Sequence, residues 1–191
     1  MVPIASLWLA IVLSAITVFV VSAAVWMSLP HHKSDFLGLP DEASAATVLR
    51  AQNLSPAVYN IPHVKSQNEM AAPEVQARFV DGPVAFLTVL PDGVPRMGKR
   101  MVQSFLYYLA VGVMVAYMVT RTMDPGASYL SVFRVAGTVA WLAYSFGQFP
   151  DAIWFGKPWS HVWKQAADGL LYALLTAGIF GWQWVRVTGG M

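Results

Sequence analysis

Residues 1–30 carry no charged side chain, and 101–120 form a second uncharged run. A helix needs roughly 20 predominantly apolar residues to cross about 30 Å of hydrocarbon. The two runs therefore point to a bilayer. Charged residues make up 12% of the sequence, against about 25% in an ordinary soluble domain, which agrees.

Four spans are expected. The first covers 4–27, where Trp8 and Trp26 stand about 27 Å apart along a helix and match aromatic belts at two interfaces. The second covers 101–120, between the basic group Arg96, Lys99, Arg100 and Arg121. The third covers 128–148 after the turn DPGA and contains Arg134; the fourth covers 169–186 and ends in WQWVR. The first span lacks the basic n-region of a cleavable signal, and its uncharged run exceeds the usual 7–15 residues.

This order puts both termini and Arg121 on one side of the membrane, and the 28–100 and 149–168 loops on the other. Lys33, Arg96, Lys99, Arg100, Lys157 and Lys164 crowd the loop side. The positive-inside rule then places the loops in the cytoplasm and the termini outside. The expected fold is an all-α polytopic membrane protein with a small α+β loop domain between helices one and two. Residues 1–29 hold the first transmembrane helix, 30–100 the cytoplasmic loop domain, and 101–191 a three-helix transmembrane region with an interfacial segment at 149–168.

Within the loop domain, Pro40 and Asp41 start a helix in PDEASAATVLRAQ. NLSPAVYNI offers a turn and a strand, APEVQARFV a second helix, and DGPVAFLTVLPDG a β-branched strand between turns. Such a domain buries little apolar surface alone, so cover from the membrane surface or from 149–168 is expected.

The stretch FPDAIWFGKPWSHVWKQAADG joins the third and fourth spans. It is too charged for a lipid core and too apolar for an ordinary exposed linker. If Pro158 starts a short helix, Trp159 and Trp163 share one face. Trp154, Trp159 and Trp163 suit the headgroup level, and Lys157 and Lys164 reach anionic phosphates from the same depth. The segment is read as an interfacial anchor.

The combination of HHKSDFLGLPDE, GPVAFLTVLPDG followed by MGK, WFGKPWS and DGLLYALLTAGIFGW resembles a group of small uncharacterised bacterial inner-membrane proteins. The resemblance covers nearly the whole chain from Pro30 onward. It implies a multi-pass protein of the bacterial inner (cytoplasmic) membrane and brings no activity or site residue.

Candidate chemistry is sparse. The absence of cysteine excludes disulfides, thiolate metal sites and thioether-linked haem. A net charge of +2 without an aromatic-interleaved basic stripe excludes a nucleic-acid partner. His31, His32, His63 and His161 fall on the loop side, where Asp35, Asp41 and Asp151 can join them as metal ligands. No pair has the i, i+4 spacing of a helical metal motif and adjacent histidines point apart, so ordinary interfacial hydrogen bonds are expected, with no cofactor or metal. Arg134 is a charge within a span and a functional candidate on that ground, with Asp124 as an ion-pair partner. Asp168 is read as a helix-start device favoured by the dipole, paired with Lys164. Gln103, Ser104, Tyr107 and Tyr108 are the other polar cluster at depth, suited to interhelical hydrogen bonds.

Gly169, Ala173, Ala177 and Gly181 recur every four residues and give a narrow stripe for close helix approach, against a partner helix or against Gly112 and Ala116 of the second span. The expected function is a structural or accessory subunit of a bacterial membrane protein assembly, acting by helix packing. Its expected partners are the lipid bilayer and other membrane proteins or a second copy. The alternatives are a small-molecule or metal-ion transporter, or a membrane enzyme using the loop histidines.

Overall fold

A computed structural model describes residues 2–189. The fold is predominantly helical, with one two-stranded sheet. It divides into two compact units: residues up to Phe36 together with those from Arg96 onward, and Leu37–Pro95 between them.

The first unit is a helical bundle. A 3-10 turn at Ile4–Leu7 leads into α1, Trp8–Ser28. No glycine or proline interrupts α1, and it stops where Leu29 adopts an extended conformation before Pro30, as a residue preceding proline prefers. Helix α4 spans Met97–Thr122 and ends where Met123 turns extended, just before Asp124 and Pro125. Helix α5, Tyr129–Ser145, begins at Ser128, whose hydroxyl accepts the Ser131 N–H. Helix α6 covers Phe149–Phe155 and closes on Gly156 in the left-handed region, the usual glycine stop. Helix α7 runs for 30 residues, Trp159–Thr188.

Among the described residues, three stretches are long and apolar enough to cross a membrane: Ile4–Ser28, Met97–Thr122 and Trp159–Thr188. Helix α5 has 17 residues, about 26 Å at 1.5 Å per residue. Two boundaries thus differ from the sequence reading. The third helix ends at Ser145, followed by a 3-10 turn at Phe146–Gln148. The fourth starts at Trp159 rather than 169, so 159–168 is not a separate short helix. Pro158 is extended and stands just ahead of the helix; nothing between Trp159 and Gly169 breaks it. Its charges are instead neutralised from outside the helix, as described below.

The helices pack through small residues. Helix α5 lies antiparallel along α7: Tyr129 meets Gly181 and Ser145 meets Gly169, with Gly137 at Ala177 between them. A Cβ on Gly137 would stand 3.2 Å from that of Ala177. Helix α4 lies antiparallel to α1, with Gly112 against Ile11 and the Phe105 ring edge-on to Phe19. The core they enclose is apolar, centred on Leu7, Val115, Val132, Phe180 and Trp184.

The second unit contains α2, Glu42–Ala51, and α3, Pro73–Asp81. Asp41 caps α2 by accepting the Ser44 N–H at 3.0 Å, a contact that satisfies an orphan helix donor. Strands β1, Ala57–Ile61, and β2, Ala85–Val89, pair antiparallel with Tyr59 opposite Leu87. These are the helix and strand segments expected from the turn residues. Pro62 is the one buried residue of the unit.

Candidate functional site

The polar side chains of the helical unit gather where α1 ends and α7 begins. Four residues of α7, His161, Lys164, Gln165 and Asp168, are spaced by three, four and seven and so share one face. Opposite them stands the segment after α1. A 3-10 turn at Pro30–His32 reverses the chain and carries both histidine rings to Asp168. His31 Nε2 lies 3.2 Å from Asp168 Oδ1, and His32 Nε2 lies 2.6 Å from Oδ2. The second nitrogen of His32, Nδ1, is 2.6 Å from Asp35 Oδ2.

Lys164 closes the arrangement. Its Nζ donates to Asp35 Oδ1 at 2.7 Å, to the His31 carbonyl at 2.5 Å and to Ser34 Oγ at 2.9 Å. His161 Nε2 stands 3.7 Å from Asp35 Oδ2 and 2.9 Å from the Gln165 amide nitrogen. The indole of Trp26 lies flat on His32, centroids 3.9 Å apart with planes 2° from parallel. Phe36 meets His161 edge-on. Ring position and ring plane at His32 are therefore both fixed.

Burial sets the electrostatics. The side chains of His32 and Asp35 are 4% and 2% exposed. Burial alone raises a carboxyl pKa, but hydrogen bonds from His32 and Lys164 pull Asp35 down to about 2. Burial likewise opposes a charge on His32, and the two flanking carboxylates outweigh it and raise its pKa. Two aspartates, one lysine and one doubly hydrogen-bonded imidazole thus form a self-neutralising group. A buried charge without such compensation is costly.

Several sequence expectations change here. The adjacent histidines 31 and 32 converge instead of pointing apart, with rings 4.1 Å between centroids. Lys164 pairs with Asp35, not with Asp168. Asp168 lies well inside α7 and serves as acceptor for the two histidines, not as a helix-start device. His63 belongs to the Leu37–Pro95 unit, where its Nδ1 is 2.9 Å from Asn60 Oδ1. Among the described residues Arg134 makes no ion pair, with Asp124 or otherwise; it is exposed on α5 beside a shallow groove shared with Phe133, Gly137 and Trp141.

The remaining expected residues are placed as follows. Trp154, Trp159 and Trp163 are exposed, and Trp159 and Trp163 share one face of α7 with Phe149 packed on both. Lys157 Nζ bridges Gln148 and Gln165 at 2.6 and 2.9 Å, which ties the α6 region to α7. Gly169, Ala173, Ala177 and Gly181 are buried on the face that α5 occupies. Gly112 and Ala116 are buried in α4, with Gly112 against α1. The Tyr107 hydroxyl donates to the Ala143 carbonyl at 2.7 Å and that of Tyr108 to Ser22 Oγ at 3.1 Å, while Gln103 and Ser104 are exposed. Asp35 was visible in the sequence as a candidate ligand; its role as the hub between His32 and Lys164 was not. No protein-family model, curated protein or solved structure matches the chain.

Proposed function

We propose that this chain is an accessory subunit of a bacterial inner-membrane protein assembly, anchored by four membrane-spanning helices and contacting its partner through the Leu37–Pro95 unit. The observation that carries the reading is the poor cover of that unit. Pro62 is its one buried residue, while Val58, Val80, Val84, Leu90 and Val94 are exposed. Apolar surface left open on a small unit marks an interaction site. The small-residue stripe of α7, by contrast, is occupied by α5 of the same chain and holds the anchor together.

A fourth span is supported by parity. The start of α7 bonds to the residues that follow α1, through Lys164–Asp35 and His32–Asp168. If α1, α4 and α7 cross, the chain has to return between Thr122 and Trp159, and α5 is the helix that lies along α7 from Gly169 to Gly181. The positive-inside rule then puts Leu37–Pro95 in the cytoplasm. Transport draws no support from an interior filled by Leu7, Val115, Val132 and Phe180. A membrane enzyme retains one observation in its favour, the convergence of His31 and His32 on Asp168.

Photo-crosslinking in intact membranes tests the accessory role. A crosslinker in place of Val80 or Phe86 is expected to capture one recurring membrane protein, identified by mass spectrometry. Adducts confined to lipid or to a second copy of the chain would overturn it.

A further inference from the structure

One ring nitrogen of His31, one of His32 and a carboxylate oxygen of Asp168 all lie within 4.8 Å of one another. We propose that these three residues bind one first-row divalent transition-metal ion between α7 and the turn that follows α1. This departs from the expectation of histidines with ordinary hydrogen bonds. It is also independent of the accessory role, which rests on the other unit.

The donor set fits, and the spacing comes close to what an ion needs. Two imidazoles and one carboxylate suit zinc and iron(II), whereas calcium and magnesium favour all-oxygen shells. Bonds of about 2.0–2.1 Å place tetrahedral donors about 3.3 Å apart. His31 Nε2 is 3.2 Å from Asp168 Oδ1, and His32 Nε2 is 2.6 Å from the other oxygen, Oδ2. Asp168 would need to draw back from His32 by about 0.7 Å to admit an ion at that spacing.

The surroundings already resemble a metal's outer shell. A ligating histidine commonly donates its other ring N–H to a carboxylate, which fixes tautomer and orientation. Asp35 occupies that position on His32 Nδ1 at 2.6 Å, and Lys164 holds Asp35 in turn. Trp26 fixes the ring plane. The Lys164 bond to the His31 carbonyl pins the turn that bears both imidazoles.

An independent observation points to a ligand at the same place. A recess of about 130 Å³ is lined by Asp168 together with Trp26, Tyr144, Gln148, Gln165 and Tyr172. The Tyr172 hydroxyl is buried and has no hydrogen-bond partner among the described residues. Buried polar groups are rarely left unpaired, and Tyr172 is one helical turn from Asp168. Three protein ligands leave coordination positions open.

The test uses the full-length protein, purified in detergent, stripped with chelator and titrated with zinc ion alone against a fluorescent competitor. One zinc per chain is expected. Asp35→Asn should weaken binding by about 10–100-fold, and His31→Ala and Asp168→Asn should weaken it further, while His63→Ala should match the unaltered chain. His31 is one-third exposed, so His31→Ala decides the matter if the Asp168 variant fails to fold; thermal unfolding of the metal-free proteins checks this. Failure of the unaltered chain to bind zinc, or binding that is equally tight in His31→Ala, would overturn the proposal.

Discussion

Asp35 remains charged with almost no contact with water, because His32 and Lys164 each give a hydrogen bond to one of its oxygens. Removing one member of a buried ion pair typically costs about 3–5 kcal/mol, since the other charge is left uncompensated. The Lys164 side chain is 27% exposed, so water screens part of that loss. Asp35→Ala in metal-free protein should therefore destabilise by about 3 kcal/mol, near the lower end of that range. Replacing both partners, as Asp35→Asn with Lys164→Met, should cost less than Asp35→Ala alone. Denaturant titration in detergent reads both. A loss below about 1 kcal/mol for Asp35→Ala, the range of exposed pairs, would mean that the cluster is solvated. Of the α7 half of this cluster, the sequence shows the helical spacing of Lys164 and Asp168 but not that His161 and Gln165 belong to the same continuous helix face. The cluster's other half was not legible. His31, His32 and Asp35 lie some 130 positions away in the chain, and no local pattern states which face of α7 they meet.

At the scale of elements, the spans without charges were readable because desolvation leaves an uncharged run of that length few alternatives. The start of α7 was misread for the converse reason. Lys164 and Asp168 looked like the edge of the membrane, whereas partners outside the helix neutralise them and leave α7 continuous from Trp159 to Thr188. The small-residue stripe was readable as a packing face, but periodicity does not say which helix it meets. It meets α5, and there the fit is tight. Lipid gives helices no hydrophobic reason to associate, so close approach and dispersion hold the pair. Ala177 is fully buried against Gly137. Ala177→Leu should lower stability by about 1–3 kcal/mol, the usual range for overpacking, seen as a lower thermal midpoint in detergent. Leu174, exposed on the same helix, serves as the control, and Leu174→Ile should change the midpoint little. Equal midpoints for the two variants would show that the α5–α7 contact contributes little to the bundle.

For the whole molecule, the polar cluster constrains topology more firmly than hydropathy does. Counting long apolar helices alone gives three crossings, α1, α4 and α7. Three crossings without a return would bring the start of α7 to the side opposite the end of α1. Yet Lys164 and Asp168, near the start of α7, are bonded to Asp35 and His32, just beyond the end of α1. At the other end, Gly181 of α7 faces Tyr129, the first residue of α5. In the proposed four-span topology, helix α5 carries the chain back. Its length of about 26 Å falls slightly short of the hydrocarbon thickness, which local thinning of the bilayer accommodates at modest cost. Basic residues flank the side that holds Arg96, Lys99 and Arg100, and they bias it toward the cytoplasm. A reporter inserted beside Asn68 should thus read as cytoplasmic, and one fused after residue 191 as external. The pair of readings separates the possibilities. Opposite sides but exchanged would mean an inverted orientation with the four helices intact. Both reporters inside would mean an even number of crossings between them, and α5 would then not span the membrane.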